Sequence, residues 1–313
     1  MKPHILAFET FDDWDSAPLN ELFTVHQFPA SGVPSDLPGE VTEQIRAFAF
    51  KGHSSLGADI MDAFPNLGLV ANYGVGYDTI DVAHATSKGI KVTNTPDVLT
   101  NDVADLAVGM LLALNRGIPG ASDWVTSGQW ASAGAYPLQR TLSGASVGIA
   151  GLGRIGRAIG NRLQGFETDI HYYARSQKDT SGWTYHDNLV SLAEQSDIFI
   201  VAVSGGPDTL KIISANVISA VGPDGLLINI ARGSTMDEEA LISALRNKQI
   251  RGAALDVFNN EPNIDSRFAQ LDNVLLQPHH SSGTIETRKQ MGALQRENLI
   301  AFFDGKPLLT PVA

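Results

Sequence analysis

The chain has 313 residues, 43% hydrophobic and 18% charged, with 22 basic residues, 34 acidic residues, a net charge of -12 and no cysteine. That composition excludes a chain that is mainly disordered, disulfides, thiolate metal sites and a cysteine nucleophile, and on average the acidic balance repels nucleic-acid phosphates and anionic membranes. At roughly 100–200 residues per domain the length predicts about two domains.

No apolar run approaches the ~20 residues of a membrane span, and the start Lys2-Pro3-His4-Ile5-Leu6-Ala7 lacks the long apolar core of a signal peptide, so a cytoplasmic protein is expected. Short apolar runs at residues 5–8, 45–50, 67–72 and 90–93 predict strands, and residues 59–64 and 81–88 predict helices between them, the second stopped by Gly89. Alternation of this kind predicts an α/β fold with parallel sheets covered by helices. After Asn94-Thr95-Pro96-Asp97, Thr100 is placed as the cap of a long helix. Its stripe of Val103, Leu106, Ala107, Met110, Leu111 and Leu114 is either a buried core helix or a link between two domains, and Gly117 and Pro119 end it. Residues 127–143 are polar and aperiodic and read as a loop or arm. A second alternating series follows, with strands predicted at residues 147–150, 170–173, 198–203, 226–230, 252–257 and 274–276 and a helix at 238–247 behind Asp237. A last helical pattern, residues 284–303, could return to the first domain. The expected division is therefore residues 1–99 with 282–313 as one discontinuous domain and residues 100–281 as the other.

Gly151-Leu152-Gly153-Arg154-Ile155-Gly156 is a G-x-G-x-x-G hexamer between an apolar strand and an amphipathic helix carrying Ile155, Ile159 and Leu163. Gly151 would permit the tight turn, Gly153 would let a pyrophosphate approach the backbone, and Gly156 would let helix and strand pack closely. The helix start offers N–H groups and partial positive charge to an anion. Without the flanks, such a hexamer would be only a tight turn. An NAD-specific fold carries an acid about twenty residues later for the ribose 2′-hydroxyl. Here the sequence is Ala174-Arg175-Ser176-Gln177-Lys178, with two cations and a hydroxyl, as a 2′-phosphate requires. The competing reading is a solvated surface loop. NADPH is expected as cofactor, with NADH weaker.

Three polar groups follow apolar strands near their ends, where ligands bind in open α/β sheets: Arg232, Glu261 and His279. Each alone would be an ordinary surface charge, but together they fit the reduction of a 2-keto acid. A histidine can protonate the developing alkoxide, a carboxylate beside it favours the imidazolium, and an arginine holds the substrate carboxylate. His279 is taken as the acid/base, Glu261 as its partner and Arg232 as the anchor. His280 competes with His279: neighbours on an extended segment point opposite ways, so only one of the two should face the site, and Pro278 together with the resemblance given below favours His279. A metal site at His279-His280 lacks further residues at ligand spacing, so no metal is expected, and no G-x-S-x-G elbow supports a hydrolase.

At these residues the chain resembles the D-isomer-specific 2-hydroxyacid dehydrogenase family over essentially its whole length. The matching stretches are residues 92–100 with Val103-Ala104-Asp105-Leu106-Ala107, the glycine hexamer, and the segments around Arg232, Asp256–Pro262 and His279. Within the family, Ala174-Arg175-Ser176 and the ending Pro307-Leu308-Leu309-Thr310-Pro311-Val312 look most like glyoxylate/hydroxypyruvate reductases and plant-type hydroxyphenylpyruvate reductases. The resemblance implies two Rossmann-like or flavodoxin-like domains separated by a cleft. It implies that Val75 and Gly76 bind the substrate carboxylate through backbone N–H groups, and that Asp256 holds the nicotinamide carboxamide. Arg154 and Ile155 would cover the pyrophosphate, and Thr100 and Ile230 would also line the cofactor site. It also implies a homodimer joined by its cofactor domains. Two departures stand out. Position 280 is His where close relatives carry a smaller or apolar residue. The arm Trp130-Ala131-Ser132-Ala133-Gly134-Ala135-Tyr136-Pro137-Leu138 lacks a second tryptophan that restricts the pocket in some relatives, so either Tyr136 replaces it or the pocket is more open. Small 2-keto acids such as glyoxylate and hydroxypyruvate are the expected substrates, with an aromatic 2-keto acid such as hydroxyphenylpyruvate as the alternative. An NAD(P)-sensing binding protein of the corepressor type is the alternative of another class.

Overall fold

The computed structural model describes residues 2–52, 54–180 and 182–312. The chain divides into two compact units, Met1–Leu99 with Ser282–Ala313, and Thr100–Ser281. Both are α/β with wholly parallel sheets, the class that the alternation of apolar runs and helical patterns predicts.

The first unit begins with β1 (His4–Ala7), α1 (Asp13–Leu22), β2 (Thr24–Gln27), α2 (Gly39–Thr42), β3 (Ile45–Phe50), α3 (Ala58–Asp62), β4 (Leu69–Asn72), α4 (Val82–Ser87) and β5 (Lys91–Thr93). The strands pair in the order β2-β1-β3-β4-β5, the flavodoxin-type winding. All four residues of β4 are buried, as a central parallel strand covered on both faces must be. The Asp81 side chain caps α4 by accepting from the His84 N–H, and Gly89 beyond its end adopts φ +74, a conformation open to glycine at no steric cost.

The second unit runs through α5 (Thr100–Asn115), α6 (Ile118–Thr126), α7 (Gln129–Ala133), β6 (Ser146–Ala150), α8 (Arg154–Gln164), β7 (Asp169–Tyr173), β8 (Thr184–His186), α9 (Leu189–Glu194), β9 (Ile198–Val201), α10 (Ala215–Val221), β10 (Leu226–Asn229), α11 (Glu238–Arg246), β11 (Gly252–Leu255) and β12 (Val274–Leu276). Its seven strands lie in the order β12-β11-β10-β9-β6-β7-β8. This is the doubly wound order of dinucleotide-binding folds with one further strand at the β12 edge, and its winding reverses between β6 and β9. A core of Phe199, Leu227, Leu241, Leu245, Ile250 and Phe268 fills one face of the sheet.

The chain then returns to the first unit as α12 (Ile285–Phe303), capped by the Thr284 hydroxyl, which accepts from the Thr287 N–H. The buried Gln295 amide donates to the carbonyls of Phe50 at 3.1 Å and Ala71 at 2.7 Å, fastening α12 to the ends of β3 and β4. Asn298 accepts from the N–H groups of Leu309 and Thr310 and so holds the terminal segment.

Three local expectations are corrected. Residues 127–143 are not wholly a loop: α7 lies within them, a single turn too short to show a periodic stripe. The long helix ends at Asn115, before Gly117 and Pro119 as expected, but helical structure resumes at once and Pro119 sits in the first turn of α6, where its missing N–H costs nothing. Thr100 is the first residue of α5 rather than the residue preceding it.

Candidate active site

Three polar side chains follow three adjacent strands of the second unit. Arg232 comes three residues after β10, Glu261 six after β11 and His279 three after β12. The Glu261 carboxylate reaches His279: its Oε2 lies 2.7 Å from His279 Nδ1, and its Oε1 accepts from the Phe258 N–H at 2.7 Å. Both side chains are about one-fifth exposed, so the pair is shielded yet reachable. The His279 backbone is left-handed, φ +50, and it is held there by one residue. The Asp256 carbonyl accepts from the His279 N–H at 2.8 Å, while its Oδ1 accepts from His280 N–H at 2.6 Å and its Oδ2 from Ser281 N–H at 2.9 Å. Three consecutive N–H groups are thereby gathered on a fully buried aspartate.

This geometry corrects the argument about His280. Its orientation does not follow from extended-strand alternation, because the left-handed turn at His279 interrupts the extended backbone. His280 is exposed while its N–H is held by Asp256. Among the described residues no group of three or more His, Asp or Glu could hold a metal ion.

The Arg232 turn is built from below. Asn229, buried at the end of β10, donates to the Arg232 carbonyl at 3.2 Å and accepts from the Ala231 N–H at 3.0 Å, and the buried Thr235 hydroxyl donates to the same carbonyl at 2.7 Å. The Arg232 guanidinium donates to the Ala231 carbonyl at 2.8 Å. Gly233 lies against the next strand's end: a Cβ there would stand 2.0 Å from the Phe258 carbonyl carbon. Glu238, in the first turn of α11, accepts from the Asn259 N–H at 2.9 Å and so supports the turn that carries Glu261; burial pushes its carboxyl up, against the pull of that hydrogen bond. Asn229, Thr235 and Glu238 do not stand out in the sequence by spacing. The one available signal is a polar Asn inside the apolar run Leu226-Leu227-Ile228-Asn229-Ile230.

The glycine hexamer forms the turn from β6 into α8. Gly151 has φ +103, and a Cβ there would meet the Ala202 carbonyl oxygen at 2.7 Å. At Gly156 a Cβ would fall 2.1 Å from the Gly151 oxygen and 3.2 Å from Ile149 Cγ2, so helix and strand touch there. Gly153, by contrast, is exposed and a Cβ would meet nothing within 4 Å: the space over the first turn of α8 is open. Arg154 is exposed beside it, Ile155 half-buried, and Ile230 buried at the end of β10. Beyond β7, the side chains of Arg175, Ser176 and Lys178 are all exposed, and Lys178 Nζ lies 3.4 Å from Ser176 Oγ. An open helix start of eleven residues with free space at its second glycine, followed by two cations and a hydroxyl, fits an anionic dinucleotide.

In the first unit, the loop after β4 turns its carbonyls inward. Asn72 donates to the carbonyls of Gly74 at 3.1 Å and Gly76 at 2.8 Å, Asn94 donates to that of Val75 at 2.9 Å, and the Thr95 N–H donates to that of Gly74. Val75 and Gly76 are half-buried in this loop. Thr100, the first residue of the second unit, is half-buried at the start of α5.

Comparison with known proteins agrees with this architecture. The profile of the D-isomer specific 2-hydroxyacid dehydrogenase NAD binding domain matches residues 108–281. A glyoxylate/hydroxypyruvate reductase A of Arabidopsis thaliana is 45% identical over 94% of each chain. A hydroxyphenylpyruvate reductase of Plectranthus scutellarioides is 44% identical over 94% of each. The crystal structure of an NADPH-dependent glyoxylate/hydroxypyruvate reductase from Sinorhizobium meliloti, in complex with NADP and malonate, superposes with a TM-score of 0.94 at 44% identity, covering 100% of this chain and 97% of that one.

Proposed function

Because the chain belongs to the D-isomer-specific 2-hydroxyacid dehydrogenases, NAD(P)-dependent oxidoreductases, we propose that it reduces small 2-keto acids to D-2-hydroxy acids with NADPH as preferred cofactor. Glyoxylate and hydroxypyruvate lead the candidate substrates. The observation that carries this reading is the 2.7 Å pair of His279 Nδ1 and Glu261 Oε2 beyond strands β11 and β12 of a doubly wound sheet, beside Arg232 beyond β10.

When bound, the dihydronicotinamide supplies the hydride to the keto carbon. The chain's own residues handle charge and protons. Glu261 holds Nδ1 of His279, so Nε2 is the nitrogen that delivers a proton to the developing alkoxide. The Glu261 carboxylate keeps the ring oriented through its contact with Nδ1. Arg232 pairs with the substrate carboxylate and polarises the keto oxygen. We also propose that the N–H groups of Val75 and Gly76 bind an anionic group of the substrate. Gly151, Gly153, Arg154, Ile155 and Gly156 seat the pyrophosphate, Thr100 and Ile230 line the nicotinamide end, and Arg175, Ser176 and Lys178 bind the 2′-phosphate; Asp256, expected to hold the nicotinamide carboxamide, is instead fully buried and holds the turn at residues 279–281. We further propose that the molecule is a cytoplasmic homodimer.

The test is steady-state oxidation of NADPH and NADH with glyoxylate, hydroxypyruvate, phenylpyruvate and hydroxyphenylpyruvate. Preference for NADPH with the two small acids supports the proposal. Preference for the aromatic acids keeps the chemistry and replaces the substrate class, for which the similarity to a hydroxyphenylpyruvate reductase gives a reason. Cofactor binding without turnover on any of the four acids overturns the substrate assignment and points to another keto acid or to a cofactor-sensing protein.

A further inference from the structure

We propose that Tyr172, which is fully buried and out of reach of any cofactor, is the positioning residue that sets discrimination between NADPH and NADH. This rests on the assignment of Arg175, Ser176 and Lys178 to the 2′-phosphate. Those three side chains stand on the connection between β7 and β8, and all are exposed. An exposed loop of this kind would ordinarily sample many conformations, and ordering it on binding would consume affinity.

This connection is instead gripped from beneath. The Tyr172 hydroxyl donates to the Lys178 carbonyl at 2.9 Å and accepts from the Lys178 N–H at 2.9 Å. A phenol can do both at once, and it thereby fixes both polar groups of one residue. Across the sheet, Tyr185 pairs in register with Tyr172, their ring centroids 5.5 Å apart, and its hydroxyl donates to the Ala174 carbonyl at 3.3 Å. Arg157 of α8 donates from both terminal nitrogens to the Asp179 carbonyl at 3.2 Å. The Trp183 ring lies so close over Gly160 of α8 that a Cβ there would stand 2.4 Å from it. The backbone at positions 174, 178 and 179 is thus anchored while the side chains at 175, 176 and 178 point to solvent. Of these anchors, Tyr172 alone holds a phosphate-binding residue itself. The glycine hexamer, which would meet parts common to both cofactors, lies on a different turn. Loss of the Tyr172 hydroxyl should therefore fall on the 2′-phosphate and spare the rest of the cofactor.

The experiment compares wild type, Tyr172→Phe and Arg175→Ala in two measurements. The first is KM and kcat with NADPH and with NADH; the second is calorimetric binding of adenosine 2′,5′-bisphosphate and of 5′-AMP. Tyr172→Phe keeps the buried ring and its packing, so the variant should fold. Tyr185→Phe provides a second variant, expected to act the same way by a smaller factor. In Tyr172→Phe the ratio of KM for NADPH to KM for NADH should rise about tenfold, the scale of one or two lost hydrogen bonds. The ratio of bisphosphate to 5′-AMP dissociation constants should rise with it, and the effect should fall on KM rather than on kcat. An equal rise in both KM values, or unchanged ratios, while Arg175→Ala is selective against NADPH, overturns the role of Tyr172 and leaves the cofactor assignment standing. Unchanged ratios in both variants overturn the cofactor assignment and this inference together. Selectivity in Tyr172→Phe alone supports the inference and moves the phosphate contact from Arg175 to Ser176 and Lys178.

Discussion

At the scale of single residues, the proposed chemistry concentrates in one contact, the Glu261–His279 pair, and each partner has a separable signature. His279→Ala should lower turnover at least about 100-fold, the low end for loss of a general acid, with cofactor binding retained; near-normal turnover would remove His279 from the reaction. Glu261→Gln leaves a hydrogen-bond acceptor near Nδ1 but removes the charge-assisted contact that holds the ring. In this variant kcat should fall while the KM for cofactor stays unchanged, and an unchanged kcat would take Glu261 out of the pair. A different carboxyl, Asp15, makes a stability prediction. It is buried against α12 at Gly292, where a Cβ would stand 1.8 Å from its Oδ1. Burial pushes its carboxyl above the usual range, although the Tyr73 hydroxyl and the Arg296 guanidinium pull it down. A carboxyl raised on folding gives its full contribution below the unfolded-state value near 3.9 and loses it as pH rises through the folded-state value. Asp15→Asn has no such loss. Its melting temperature relative to wild type should climb as pH is raised from about 4 to 7, and a difference that stays flat over that interval would show that Asp15 is not burdened by burial.

At the scale of elements, the strand ends do the positioning, and close backbone contacts set their tolerance. Gly233 is the clearest case, since its place against Phe258 and Asn259 couples the turn after β10 to the one that carries Glu261. Gly233→Ala must displace backbone rather than a flexible side chain. A cost of about 1–3 kcal/mol in urea unfolding is expected, together with reduced kcat, since the shifted Phe258 N–H is a ligand of Glu261. Full stability with full activity would mean that the contact relaxes freely. The same scale explains what the sequence makes legible. Apolar runs such as Ile198–Val201 and Leu226–Asn229 announce central strands because both faces are buried. The edge strands β2, Thr-Val-His-Gln, and β8, Thr-Tyr-His, escape notice because they are polar and half-exposed. Helix α1 escapes because Pro18 interrupts its pattern. Arg232, Glu261 and His279 are legible as polar groups just beyond apolar strands. The grip of Asp256 on three successive N–H groups and that of Tyr172 on Lys178 are not, because each depends on a turn geometry that residue spacing leaves undetermined.

At the scale of the whole molecule, the segment spanning α6, α7 and the arm beyond them is built unlike the rest of the surface. Ile118 and Val125 are just over half exposed, Trp130 is 64% exposed and Leu138 is completely exposed, all within about twenty residues. The homodimer proposed above would cover these side chains. Each chain carries a net charge of -12, so two copies repel at long range, whereas burial of Trp130 and Leu138 attracts at contact. Salt weakens the repulsion and leaves the apolar term in place, because only the repulsion is screened, over a Debye length of about 8 Å at physiological ionic strength. Sedimentation at micromolar concentration should accordingly give twice the chain mass of 33.4 kDa, and the dimer should tighten as salt is raised. Leu138→Asp combined with Trp130→Ser removes the apolar contact and leaves the repulsion, so this variant should sediment as a monomer with an unchanged far-ultraviolet spectrum. A wild-type monomer at these concentrations would end the dimer proposal. A double variant that remains dimeric would move the interface away from residues 118–138.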